Sequence, residues 1–128
     1  MSKILLADDS SFIRSHYARL LAEHGYEVSL AQDGAQAVEC YRLEMPDVVL
    51  MDVVMPHTSG LDALNAIRQL DPHARVIILT AMDQEAVTRQ ALAMGAQDVI
   101  IKPVLPSQLL AKIEKLLRHT EVPPCPRS

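Results

Sequence analysis

Five short aliphatic runs, each followed by a longer stretch with helical spacing, constrain this chain more than any other feature. The runs are Lys3–Ala7, Glu27–Ala31, Val48–Met51, Val76–Leu79 and Val99–Ile101. They are rich in Val, Ile and Leu and mostly lack polar alternation, as expected of strands covered on both faces. Between them, Ile13, Tyr17, Leu20 and Leu21 fall on one helical stripe, and Val38 with Tyr41 suggest a second. Leu61, Leu64 and Ile67 mark a third, and Val87, Ala91 and Met94 a fourth. Leu109, Leu110, Ile113, Leu116 and Leu117 mark the fifth. This alternation, with short connections, predicts parallel strands joined by right-handed crossovers and helices on both faces of one sheet.

Punctuation agrees. Gly25 and Gly95 follow predicted helices, while Gly34 and Gly60 lie near helix starts. Ser10, Asp33, Ser59, Asp83 and Ser107 are predicted caps. Pro46 and Pro72 precede strands, where they stop the chain from continuing as helix. The final stretch, from Glu121 to Ser128, has three prolines and no periodicity. The expected division is therefore a domain over 1–119 and a Pro-rich tail, or the start of a linker, over 120–128.

Composition narrows the class. A chain of 128 residues suffices for one domain with a substantial core. Aromatic residues make up 3% and Trp is absent, so the core is aliphatic and stacking platforms for bases are lacking. A net charge of -4 with no run of Lys and Arg argues against direct nucleic-acid binding. Cys40 and Cys125 are too few for a disulfide scaffold or a zinc site, and Cys40 reads as a small core residue. No apolar run approaches the ~18 residues of a membrane span, so no membrane insertion is expected. The first residues, Met1-Ser2-Lys3, enter a strand without a signal-peptide pattern, and the expected location is cytoplasmic.

Open sheets of this kind bind ligands outside the carboxyl ends of their strands. The first strand delivers Asp8 and Asp9 there, and the third, "VVLMD", delivers Asp52. The fourth, "VIILT", ends on Thr80, and the fifth, "VIIK", on Lys102 followed by Pro103. Each alone is unremarkable: the acid pair can be a capped turn, Asp52 a strand-end acid, Lys102 a solvated charge. Together they place three carboxylates, a hydroxyl and an ammonium in one cleft. Three neighbouring carboxylates raise one another's proton affinity unless a cation offsets them. Oxygen ligands with room for retained water suit Mg²⁺ better than zinc. A cation, an ammonium and a hydroxyl around an Asp suit a phosphoryl group, with a carboxylate as nucleophile.

From about Ser2 to His119 the chain resembles the response-regulator receiver domain of two-component signalling. The resemblance rests on Asp8-Asp9, "LMDVVMP" around Asp52, "LTA" around Thr80 and "IKP" at Lys102. It implies a doubly wound, flavodoxin-like fold of five parallel strands, in order 2-1-3-4-5, with five helices. It implies Asp52 as phosphoacceptor. Mg²⁺ would bind Asp9, Asp52 and the Val54 backbone carbonyl directly, and Asp8 largely through water. Lys102, the Thr80 hydroxyl and the Ala81 amide would contact the phosphoryl oxygens, and the Lys102-Pro103 peptide bond would be cis. The implied partner is a histidine kinase or histidine phosphotransfer protein. The output would be a surface of the fourth helix, fifth strand and fifth helix, controlling a partner or an attached domain; Ala86, Gln90, Val99, Gln108 and Lys112 are candidates on it. Such a chain is not an enzyme in the ordinary sense, beyond slow self-phosphorylation from small donors and slow autodephosphorylation.

Two features depart from the family pattern. The aromatic residue usual three positions before the lysine is Val99 here, which has no ring to swing between buried and exposed positions. Val54 and Met82, expected to flank the phosphoryl group, are apolar and cannot orient an attacking water. None of the histidines is required for the chemistry. His16 falls on the core-facing side of the first helix, His57 reads as a surface loop residue, and His24, His73 and His119 as residues at element ends. Two alternatives stand beside this reading. A Mg²⁺-dependent phosphohydrolase with an aspartyl-phosphate intermediate would want an acid where Val54 stands. A nucleotide- or flavin-binding domain would want glycines in place of the acidic "DDSS" loop.

Overall fold

The computed structural model describes residues 2–53, 55, 59–81 and 85–121, the side chains of 119–121 excepted. The elements run β1 (Lys3–Ala7), α1 (Ser11–Glu23), β2 (Glu27–Ala31), α2 (Gly34–Glu44) and β3 (Val48–Asp52), then α3 (Gly60–Leu70), β4 (Val76–Thr80), α4 (Glu85–Ala93), β5 (Asp98–Ile101) and α5 (Pro106–Glu121). All strand pairs are parallel, in the order β2-β1-β3-β4-β5. β3 and β4 each run one residue past their aliphatic stretch. Asp52 stands opposite Leu79 and Thr80 opposite Ile101, so these polar residues end the ladder from within it.

Successive strand residues face opposite layers. Leu5, Val49, Met51, Val76 and Ile78 pack with Tyr41 of α2, Leu64 and Ile67 of α3 and Ala91 of α4. Ile4, Leu6, Val48, Leu50, Ile77 and Leu79 pack with Tyr17 and Leu21 of α1 and Leu109 and Ile113 of α5. Apart from Lys3 at the start of β1 and Asp52 and Thr80 at the ends of β3 and β4, the central strands are therefore apolar on both faces. Each fully buried aliphatic side chain contributes about 1.5–3 kcal/mol relative to exposure.

Side-chain caps fix three helix starts near the site. Ser10 accepts from the Ile13 amide, Asp33 from Gln36 and Ser59 from Asp62. Ser107 is not a cap. It lies inside α5, which opens on Pro106, and the amides of Gln108 and Leu109 are bonded to the Leu105 carbonyl. Proline, with no N–H and a fixed φ, suits the first helical position. Among the described residues no helix is long and apolar enough to cross a membrane. Val54, Met82, Asp83, His57 and the tail beyond 121 lie outside the described residues.

Candidate functional site

Pairing order reverses at β1, whose neighbours are β2 and β3, and such a switch point opens a crevice at the strand ends. Asp8 enters it directly from β1 and is bound on all sides. Its amide donates to the Ala31 carbonyl at 3.1 Å. Its Oδ1 accepts from the Ser10 amide at 2.9 Å, and its carbonyl accepts from Arg14 Nη1 at 2.6 Å. Asp8 is thus both a turn-forming residue and part of the cleft. Asp9, by contrast, is exposed.

Asp52 arrives from β3 at 8% exposure, and the α3 start is pressed against it. The Gly60 amide donates to the Val53 carbonyl at 2.8 Å. A Cβ on Gly60 would stand 2.0 Å from the Asp52 backbone oxygen, so only glycine admits this approach. Lys102 reaches in from β5, where its amide donates to the Thr80 carbonyl at 2.7 Å. Its Nζ lies 3.1 Å from Asp8 Oδ2 and 3.3 Å from Asp52 Oδ2. The following bond to Pro103 is cis. Burial alone would lower the Lys102 pKa; the carboxylates of Asp52 and Asp8 outweigh it and hold the ammonium above its ordinary range.

The fold brings together Asp8, Asp9, Asp52 and Lys102. One oxygen from each aspartate falls within 4.8 Å of the others. Opposite ligands of an octahedral cation at ~2.1 Å stand about 4 Å apart, so the three acids fit a hard divalent ion with small adjustment. Thr80 is fully buried at the end of β4, and Ala81 beyond it is exposed. Val99 is half-buried and packs against the layer of α2, α3 and α4.

Two neighbours of the site went unread in the sequence. Arg14 braces the Asp8 carbonyl, and its only sequence signal is a cation in the first turns of the helix that follows the acids. Tyr17 belongs to the buried stripe of α1, yet it also reaches the cleft's field. Burial pushes its phenol pKa up, Lys102 draws it down and Asp8 raises it, which places Tyr17 in the electrostatic field of the cleft. His16 differs from expectation. It is exposed, with its ring stacked on Phe12 at a centroid distance of 6.4 Å, because the buried stripe centres on Tyr17 and Leu21.

An open parallel sheet with an acidic, lysine-bridged cleft at its switch point matches a class of signalling domains, and comparison with known proteins identifies which. The chain belongs to the response regulator receiver domain family, whose model matches residues 4–114. The chemotaxis protein CheY of Bacillus subtilis is 41% identical over 116 residues, covering 90% of this chain and 97% of that protein. A CheY-like receiver domain from Methanospirillum hungatei superposes with a TM-score of 0.91 at 29% identity, covering 94% and 97% of the two chains. CheY of Borrelia burgdorferi, solved in a complex with CheX, BeF₃ and Mg, gives a TM-score of 0.86 at 28% identity, covering 91% and 89%. Receiver domains serve two-component signalling and are not conventional enzymes.

Proposed function

We propose that the chain is a phosphorylation-dependent switch that takes a phosphoryl group onto Asp52 from the phosphohistidine of a histidine kinase or phosphotransfer protein in the cytoplasm. The observation that carries this reading is the Lys102 ammonium bridging Asp52 and Asp8, beside an exposed Asp9. In the transfer an Asp52 Oδ attacks phosphorus, a P–O bond forms, the P–N bond breaks, and the imidazole leaves with the electron pair. A Mg²⁺ ion held by Asp8, Asp9, Asp52 and the Val54 carbonyl would supply positive charge to the phosphoryl oxygens. Lys102 gives up its contact with Asp52 and follows the new anion. The Thr80 hydroxyl and Ala81 amide add donors.

The product carries an added charge of about -1.5 to -2. Moving a two-state population from 1:99 to 99:1 takes about 5.5 kcal/mol, and the converging ammonium, cation and donors supply the differential attraction. The surface repacked would be that of α4, β5 and α5. Ala86, Gln90 and Gln108 are exposed there, whereas Val99 is half-buried and Lys112 is engaged by Asp98 at 2.6 Å. The test is intact-mass measurement after treatment with acetyl phosphate and Mg²⁺. Wild type gains one phosphoryl mass and Asp52→Ala gains none; an equal gain in both removes the assignment.

A further inference from the structure

At the opposite end of the sheet, where β4 and β5 begin, a pocket of about 580 Å³ opens between the end of α3 and the face of α5. Arg68, Arg75, Lys112, Lys115 and His73 line it, with Asp98 as its one carboxylate. Four permanent cations against one acid leave the lining at +3, in a chain whose net charge is -4. Charge of that sign gathered in a concavity against the trend of the whole molecule needs an account.

Two of these four cations are held in place by neutral acceptors. Arg68 Nη1 donates to the Pro72 carbonyl and, at 3.3 Å, to the Ala74 carbonyl. Arg75 Nη1 donates to the Asp47 carbonyl at 3.3 Å. These acceptors are neutral backbone oxygens, which fix a guanidinium and leave its charge unbalanced. Asp71 lies within the field of Arg68 and offsets part of its charge, while also accepting from the Tyr41 hydroxyl and the His73 amide. Only Lys112 is ion-paired in the pocket among the described residues, with Asp98. The Arg68 stem lies over Gly95, at φ +108°, where a Cβ would meet Arg68 Nε at 2.4 Å. Exposed Lys115 stands on the facing wall.

We propose that this pocket binds a nucleoside polyphosphate, as an input separate from the phosphoacceptor cleft. Small-molecule sites commonly enclose ~300–1,000 Å³, and this one lies within that range. Cations on two facing walls grip a chain of phosphates better than a single carboxylate, because forked guanidiniums and ammonium groups each take separate oxygens. Pro72 and Leu116 give an apolar wall for a flat base, and the exposed Gln97 amide can meet its edge. A neutral ligand would leave the field uncompensated.

The test is an amide-resolved NMR titration of the full chain, without Mg²⁺ and with chelator, at about 150 mM salt. The ligands are ATP, tripolyphosphate and inorganic phosphate. Saturable shifts are expected at Arg75, Gln97, Asp98 and Lys115, with ATP tightest and phosphate weakest. Lys115→Glu should weaken ATP by about tenfold or more and Lys115→Gln by less, while Arg89→Glu, a control for net charge on exposed α4, stays within about twofold. Absence of saturation by about 10 mM ATP overturns the proposal, as do shifts confined to the Asp8–Asp52–Lys102 cleft. Equal weakening by Lys115→Glu and Arg89→Glu also overturns it, by marking a diffuse charge effect. Tripolyphosphate binding as tightly as ATP overturns the nucleoside assignment, and a short polyglutamate peptide binding tighter than ATP overturns the ligand class. Loss of acetyl phosphate reactivity in Asp52→Ala, with ATP binding intact, separates this site from the phosphoacceptor reading.

Discussion

Lys102 Nζ stands 3.3 Å from Asp52 Oδ2 while the same nitrogen holds Asp8 at 3.1 Å. One ammonium therefore divides its charge between the proposed acceptor and a buried structural acid. In the proposed phosphorylated state, the lysine can follow the new charge without leaving Asp8.

Lys102→Met keeps most of the stem and removes this ammonium from among three clustered carboxylates. Breaking a fully buried pair costs ~3–5 kcal/mol, and solvent access reduces that to an expected loss of about 2–3 kcal/mol. Mg²⁺ should raise the melting temperature of the variant more than that of wild type, because the cation takes over the missing compensation. Thermal melts with and without Mg²⁺ check both statements. Equal Mg²⁺ increments in the two proteins would contradict the shared cation site.

Gly60→Ala tests how closely α3 is seated on the end of β3. The new methyl would meet the Asp52 oxygen at 2.0 Å and the Val53 Cα at 2.8 Å, both backbone atoms that no side-chain rotation relieves. Overpacking of this kind costs about 2–3 kcal/mol. Urea denaturation should show that loss, and acetyl phosphate labelling of Asp52 should slow as its backbone is pushed aside. Wild-type stability in the variant would mean the contact is not held in solution.

The strand runs and helix stripes were legible because a parallel sheet covered on both faces leaves no room for polar residues at its centre. The acids and Lys102 were legible for the converse reason: they interrupt those runs at one end. What escaped was set by tertiary geometry. Asp52 and Thr80 pair within the ladder although their side chains break its pattern. Ser107 offered a capping hydroxyl, yet the chain turns into α5 at Pro106. The sequence has no run of basic residues, but folding assembles a cluster from Arg68 on α3, Arg75 just before β4, and Lys112 and Lys115 on α5.

The family resemblance implies that the apolar side chains of Val54 and Met82 flank the phosphoryl group, and they would then bear on the lifetime of the proposed phosphorylated state. Neither side chain can offer a hydrogen bond to an attacking water, so neither would position the nucleophile for hydrolysis. Val54→Asn with Met82→Glu should shorten the half-life of phospho-Asp52 by roughly tenfold, the worth of one ~1.4 kcal/mol hydrogen bond in the transition state. Phosphate release from purified phosphoprotein in Mg²⁺ measures it. A wild-type half-life of seconds, or no change in the variant, goes against the idea.

Tyr41 and Asp71 supply a pH test away from the cleft. The buried Tyr41 hydroxyl donates to Asp71 Oδ2 at 2.7 Å. Burial first, and then this bond, push the phenol above its ordinary 10.0, against partial opposition from Arg75 and Arg68. The Asp71 carboxyl is held below its ordinary 3.8, first by Tyr41 and then by the His73 amide. A raised tyrosine favours the folded state fully below about pH 10 and loses that contribution as pH climbs through its folded value. A depressed aspartate contributes above about pH 4 and loses that contribution as pH falls through its folded value. Tyr41→Phe should therefore cost about 1–2 kcal/mol at neutral pH. It should also flatten the alkaline limb of the stability profile above about pH 10, while part of the acid limb survives through the His73 amide. Urea melts across pH provide the measurement. An alkaline limb as steep in Tyr41→Phe as in wild type would assign that limb to other groups.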